Sequence, residues 1–304
     1  MRSLPFLSVL GLCLFHWGPL AVAQKDRSEA KKYSPKIPGA RVETYRKVGD
    51  RELKIWIFPE ALPVGAEQGK PAIVFFFGGG WFSGSPLQFL TQARALAARG
   101  MVACVADYRV ASRDKVKPSE CVGDAKACIR WVRTNAGRLG VDPGRIVAAG
   151  GSAGGHLAAA TAFLPGLDPG AEGSPVSSAP NALALFNPAL VLAPIEGLDL
   201  SEFLKNKTVE RFGCPPQEIS PAHHVKKCAV PPLIHHGSAD SSVPFGTAEK
   251  FAELMKGVGN RCELIRYEGQ AHGFFNKTPF LEETLDKTDA FLVSLGYLRA
   301  RDVP

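Results

Sequence analysis

The segment Gly150-Gly151-Ser152-Ala153-Gly154 constrains the fold of this 304-residue chain more than any other. It follows the apolar run Ile146-Val147-Ala148-Ala149 and precedes the helix-forming run Leu157 to Ala162, so a strand must pass into a helix through a very short turn. Glycines on both sides of the serine permit that turn without a Cβ clash and leave the serine at a strained tip with its hydroxyl exposed. A helix starting at Ala153 also aims free N–H groups and the positive end of its dipole at the same spot. A serine held this way can attack a carbonyl while the helix start receives the developing oxyanion. The plain alternative is a packing turn with no chemistry, and the downstream segments decide between the two.

A serine nucleophile needs a base, and the turn Glu268-Gly269-Gln270-Ala271-His272-Gly273-Phe274-Phe275, after the strand-like Glu263 to Tyr267, offers His272. The imidazole needs a carboxylate to orient it. Asp240 ends Pro232-Leu233-Ile234-His235-His236-Gly237-Ser238-Ala239-Asp240, an apolar strand running into a small-residue loop. Asp240 could instead cap the helix that Val243-Pro244 opens, and Asp199 and Glu196 are weaker alternates for the acid. The chain order Ser152, Asp240, His272 is that of the α/β-hydrolases and differs from the orders of chymotrypsin-like and subtilisin-like proteases.

A second glycine turn, Phe77-Gly78-Gly79-Gly80-Trp81, follows the strand Ala72 to Phe77 and resembles the HGGG oxyanion loop, with Phe77 where that motif opens on histidine. The chain as a whole, from about Val42 to Tyr297, resembles α/β-hydrolase superfamily esterases of the hormone-sensitive-lipase-like and carbohydrate-esterase-like branch. The resemblance rests on this loop, on Asp107-Tyr108-Arg109, on Gly150 to His156 and on Asp240 to Pro244; the segment Arg109 to Pro118 departs from the family wording Tyr-Arg-Leu-Ala-Pro-Glu. It implies an oxyanion hole formed by the backbone N–H groups of Gly79, Gly80 and Ala153. Trp81, Phe82 and Gly151 are candidates to line the substrate pocket, with core packing an equal alternative for the two aromatics.

Alternating strand and helix patterns predict one α/β domain over residues 40–304: a mostly parallel sheet of about eight strands with helices on both faces. Strands are expected at Val42 to Val48, Glu52 to Phe58, Ala72 to Phe77, Met101 to Asp107, Arg145 to Ala149, Leu183 to Asn187, Pro232 to His236 and Arg261 to Tyr267, the first two as an antiparallel hairpin. Helices are expected at Leu87 to Arg99, Ser119 to Arg138, Ala153 to Phe163, Phe245 to Val258 and Phe280 to Leu295. Short cap excursions are expected around residues 164–180 and 198–220. Residues 1–23 read as a signal peptide, with Arg2, an apolar stretch and Ala21-Val22-Ala23 before Gln24, and residues 24–39 as a flexible leader. The expected location is therefore secreted or periplasmic, with no stable membrane insertion after cleavage.

Removal of the leader leaves Cys104, Cys121, Cys128, Cys214, Cys228 and Cys262. Cys214 with Cys228 is the favoured disulfide, with buried free thiols an equal alternative. The net charge of +7 comes from scattered basic residues without an aromatic-interleaved stripe, so no nucleic-acid partner is expected. The doublets His223-His224 and His235-His236 put neighbours on opposite faces, no metal motif is present, and the chemistry needs neither metal nor cofactor.

Neither cap excursion reads as a long apolar lid, which points to small or soluble esters, with acetylated carbohydrate a natural target. Two other readings share the motifs. A prolyl-oligopeptidase-like serine peptidase would carry a propeller for which 304 residues leave no room. A catalytically silent binding module would have no need to keep serine, acid, base and both glycine turns together.

Overall fold

The computed structural model describes residues 35–58, 69–170, 175–228 and 230–301. The expected signal peptide, most of the leader and residues 171–174 of the first cap excursion lie outside these. Eight strands form one sheet: β1 Arg41–Val48, β2 Arg51–Phe58, β3 Lys70–Phe76, β4 Val102–Ala106, β5 Val141–Gly151, β6 Ala182–Phe186, β7 Pro232–Gly237 and β8 Glu263–Tyr267. Their spatial order is β1-β2-β4-β3-β5-β6-β7-β8. The hairpin β1–β2 is antiparallel and joins β4 antiparallel, whereas every later pairing is parallel.

The inner strands β3, β4 and β6 read as near-continuous apolar runs because both faces are covered. Along β3, Ala72, Val74 and Phe76 enter one core while Ile73 and Phe75 enter the other. The first face is covered by α2 (Pro118–Thr134), α3 (Ala153–Phe163) and α6 (Phe245–Gly257), the second by α1 (Leu90–Ala98) and α7 (Phe280–Ser294). Two four-residue helices, α4 (Ser201–Leu204) and α5 (Val209–Phe212), occupy the second cap excursion.

Three boundaries differ from the sequence expectation by more than two residues. β5 runs from Val141, because the Asp142 turn, which holds Gly144 N–H on its carboxylate at 2.8 Å, is absorbed into the strand's start. The helix expected to reach Arg138 stops at Thr134: Asn135 turns its amide back onto the Trp131 carbonyl at 2.8 Å, and a separate turn, Ala136–Leu139, follows. The helix expected from Leu87 opens as a 3-10 turn at Pro86–Phe89, because Ser85 caps the Leu87 N–H at 3.3 Å and proline sits at the first position.

The sheet also determines where a site can lie. After β3 the chain crosses to β4 on one side, and after β5 it crosses to β6 on the other. The loops that leave the carboxyl ends of β3 and β5 therefore diverge and open a crevice. Those two loops are the glycine turn and the serine turn.

Candidate functional site

Ser152 sits between β5 and α3 at φ 54°, ψ −120°, a conformation that costs a non-glycine residue about 1–3 kcal/mol. Backbone hydrogen bonds hold it there: Ser152 N–H donates to Phe186 O at 2.9 Å, and Ser152 O accepts from His156 N–H at 2.9 Å and from Ala189 N–H at 3.4 Å. The turn is tight because α3 crosses directly over β3. A Cβ on Gly154 would lie 2.0 Å from Phe76 O, which only glycine avoids.

The glycine turn after β3 packs against the serine, since a Cβ at Gly78 would lie 3.3 Å from the Ser152 Cβ. Gly79 adopts φ 122°, and any side chain there would meet Ser83 O at 2.1 Å. Among the described residues, the N–H groups of Gly79, Gly80 and Ala153 have no hydrogen-bond acceptor, and all three residues line the cavity beside Ser152. Without the opening histidine, the loop is held by other groups. Phe77 stacks on Tyr108 at 4.1 Å between ring centroids, and the Tyr108 hydroxyl donates to Phe77 O at 2.8 Å. Gln88 Oε1 accepts the Gly78 N–H at 2.6 Å.

His272 and Asp240 meet across the ends of β8 and β7. The Nδ1–H of His272 donates to Asp240 Oδ2 at 2.7 Å, which leaves Nε2 as the ring's lone-pair nitrogen, with no protein partner among the described residues. The other oxygen, Oδ1, accepts the N–H groups of Ser242 at 2.8 Å and Val243 at 2.9 Å. The carboxylate thus orders the turn ahead of α6 with one oxygen and orients His272 with the other. Oδ2 also receives the Asn187 amide, and His236 Nε2 lies 3.4 Å away. Burial pushes the Asp240 pKa up, but the hydrogen bonds from His236, His272, Asn187 and Val243 outweigh it and hold the carboxyl well below the usual carboxylate range. Asp199 and Glu196 are not part of this arrangement. Both are exposed, and Asp199 accepts the Ser201 N–H at 3.0 Å.

Ser152 and His272 face one cavity of about 420 Å³ whose lining includes Gly79, Gly80, Gln88 and Phe275. The cap supplies Phe203, Lys207 and Arg211 to its wall. Lys207 Nζ lies 3.5 Å from the centroid of the Phe203 ring, and burial, reinforced by the Arg211 charge, lowers its pKa to about 8. Trp81 reaches the cavity, yet its ring is buried: its N–H donates to His156 Nδ1 at 3.3 Å, and it packs edge-on against His156 and Phe212. Phe82 is 62% exposed and lines the adjoining pocket instead. Gly151 does not line the cavity. It lies beneath Phe275, whose ring would stand 2.6 Å from a Cβ there.

The expected Cys214–Cys228 disulfide is absent, and all six described cysteines are free thiols. Cys228 is turned toward Asn260, whose side chain accepts the Cys228 N–H at 2.9 Å and places Nδ2 3.6 Å from the sulfur. His156 and His235 are buried and hydrogen-bonded, to Ile219 O at 2.6 Å and to Tyr267 and Thr288 at 2.9 and 3.1 Å respectively.

Gln88, Asn187, Lys207 and Arg211 were not singled out by the sequence reading. Asn187 had a usable signal, a polar side chain at the carboxyl end of an apolar strand, where sites in such sheets lie. Gln88, Lys207 and Arg211 belong to no motif and enter the site only through tertiary packing.

A family model described as the alpha/beta hydrolase fold matches residues 73–276. Esterase LipC of Mycobacterium tuberculosis is 32% identical over 219 residues, covering 67% of this chain and 53% of its own, so the chain spans about half the length of that relative. Carboxylesterase NlhH of the same species is 28% identical over 252 residues, covering 74% of this chain and 73% of its own. The native structure of esterase 2 from Thermogutta terrifontis superposes with a TM-score of 0.81 at 50% identity, covering 88% of this chain and 97% of that one. By sequence, sheet order and site geometry together, the chain belongs to the α/β-hydrolase fold family.

Proposed function

We propose that the protein is a serine carboxylesterase that works through an acyl-enzyme. The observation that carries this reading is the His272–Asp240 hydrogen bond. It directs the lone pair of Nε2 away from the acid while Ser152 and three unpaired N–H donors share the same cavity. Ser152 Oγ attacks the ester carbonyl as His272 takes its proton, and the Asp240 charge stabilises the imidazolium. The N–H groups of Gly79, Gly80 and Ala153 hold the tetrahedral oxyanion, each worth on the order of 3 kcal/mol in the transition state. His272 then protonates the leaving alcohol, and water activated by the same ring releases the acid.

The relatives support the reaction class, being named as esterases, and the Thermogutta terrifontis enzyme has also been solved with butyrate bound, at 48% identity to this chain. A cavity of about 420 Å³, covered by short helices rather than a long apolar lid, supports small or soluble esters, with acetylated carbohydrate as the physiological class. The leader's composition supports action outside the cytoplasm. The test is a series of p-nitrophenyl esters from acetate to decanoate, run beside acetylated oligosaccharides. We expect kcat/KM to peak at or below butyrate and acetate to be released from the saccharides. A maximum at decanoate, with intact saccharides, would overturn the substrate class.

A further inference from the structure

The cavity beside Ser152 adjoins a second pocket of about 450 Å³, and the two share Gly80, Trp81 and Arg211 as common walls. Lys207 and Arg211 line the first, and Lys115, Lys117 and Arg211 the second. Among the described residues, no aspartate or glutamate lines either one. Elsewhere several buried and half-buried arginines pair closely with carboxylates, Arg46 and Arg109 with Asp124, Arg51 with Asp107 and Asp114 and Arg130 with Asp168, while half-buried Arg133 and buried Lys126 bond to neutral oxygens. Around the cleft, Lys207 is half-buried and Lys115, Lys117 and Arg211 are exposed. Among the described residues, none of the four cations has a carboxylate within 4.0 Å.

Their contacts are neutral instead. Lys207 bonds to Phe203 O, Lys117 Nζ donates to Glu210 O at 2.7 Å, and Arg211 reaches Asn206 O at 3.4 Å and lies over the Phe212 ring. The nearby acids are otherwise placed. Glu120 caps the Lys117 N–H at 3.0 Å and pairs with Arg109 at 3.3 Å, while the exposed Glu210 carboxylate lies outside both linings. Four cations with no paired carboxylate among the described residues give the cleft a positive lining that attracts anions.

We infer that this cleft selects anionic esters, whose carboxylate or sulfate, on the acyl or the alcohol half, is received by Lys207 and Arg211 while the ester lies at Ser152. The inference rests on the esterase reading and names its substrate class. An acylated acidic saccharide has this chemistry, as does a half-ester of a dicarboxylic acid.

Two matched pairs of esters test it, each differing in one charge: 4-acetoxybenzoate against its methyl ester for the alcohol half, and p-nitrophenyl hemiglutarate against p-nitrophenyl valerate for the acyl half. At low ionic strength the wild-type enzyme should favour the anionic member of at least one pair by about tenfold in kcat/KM. The ratio should fall toward one in 0.5 M salt, where screening acts over only about 4 Å. Arg211→Gln and Lys207→Gln should each lower the ratio about threefold. The salt series needs no variant and stands even if one misfolds. Turnover of the neutral esters with no anionic preference in either pair, or a ratio that neither salt nor the substitutions move, would overturn this inference alone. No turnover of any ester would overturn the esterase reading and this inference with it.

Discussion

The bond from Gly78 N–H to Gln88 Oε1, 2.6 Å long, makes the glycine loop proposed to hold the oxyanion dependent on a residue outside every motif. Gln88→Ala removes the acceptor but leaves the base of the loop anchored by the Tyr108 hydroxyl and the Phe77–Tyr108 stack. A buried N–H left without a partner costs about 1–3 kcal/mol, and because Gln88 borders the cavity, where water can take its place, we expect about 1 kcal/mol. That lowers Tm by roughly 2–4 °C. The larger effect is on rate. Gly78 lies against Ser152, so a shift there carries the N–H groups of Gly79 and Gly80 off the oxyanion position. Losing one oxyanion donor outright costs about 10²- to 10³-fold. Displacing two without deleting either should cost about 30-fold in kcat, which is roughly 2 kcal/mol, with KM little changed because the donors act in the transition state. Gln88→Glu keeps an acceptor, so it should retain Tm, yet it places a carboxylate beside the forming oxyanion and should also lose kcat. Steady-state hydrolysis of p-nitrophenyl acetate together with thermal melts of both variants decides the matter. If Gln88→Ala lost stability and kept kcat within twofold, the loop would be held in register by something else.

Three further outcomes follow from the same geometry. Asp240→Asn should lower kcat by about 10⁴-fold, the scale of removing a triad carboxylate, while Asp199→Asn stays within about twofold; steady-state kinetics giving the reverse ranking would move the acid to the cap. Asn187→Ala removes a donor from Asp240 Oδ2 and should lower kcat about tenfold, a loss that Asn187→Ser, which keeps a hydroxyl donor, partly restores; equal kcat in all three proteins would make Asn187 irrelevant to the acid. Burial lowers His156 to about 4 and His235 to about 3 from an ordinary value of 6.5, so the unfolded chain binds their protons first as pH falls. Their contribution to stability is complete above pH 6.5 and declines below it, at about 1.4 kcal/mol per pH unit for each histidine, until the folded values are reached. Urea unfolding between pH 6.5 and 4 should show this slope, and His156→Gln should reduce it by about one proton; an unchanged slope would contradict the assignment.

How far the sequence revealed this structure depends on the range of the interactions involved. The inner strands were legible because burial on both faces makes β3, β4, β6 and the second half of β5 near-continuous apolar runs, and the turn residues Gly78 to Gly80 and Gly150 to Gly154 answer to local steric demands. Ser152 was read from the second of those turns, Asp240 from the small-residue loop after β7 and His272 from the glycine-flanked turn after β8, and the structure brings the last two into hydrogen-bond contact. The helix break at Asn135 and the 3-10 start at Pro86 were missed because each depends on one side-chain hydrogen bond that competes with helix continuation. Gln88, Lys207 and Arg211 stayed hidden for a different reason. Their roles arise where segments distant in sequence converge on one cavity, and no local pattern encodes that meeting. The Cys214–Cys228 pairing, favoured because it would tie the excursion near the acid loop, is not formed, and Asn260, from beyond α6, fixes the Cys228 segment instead.

The central claim is that Ser152 is the nucleophile of an ester hydrolase. Hydrolysis of p-nitrophenyl acetate by the protein and by its Ser152→Ala variant, with both shown to be folded by circular dichroism, tests it most directly. The account predicts turnover by the first and a loss of at least about 10³-fold in the second. Equal activity in the two folded proteins would contradict it.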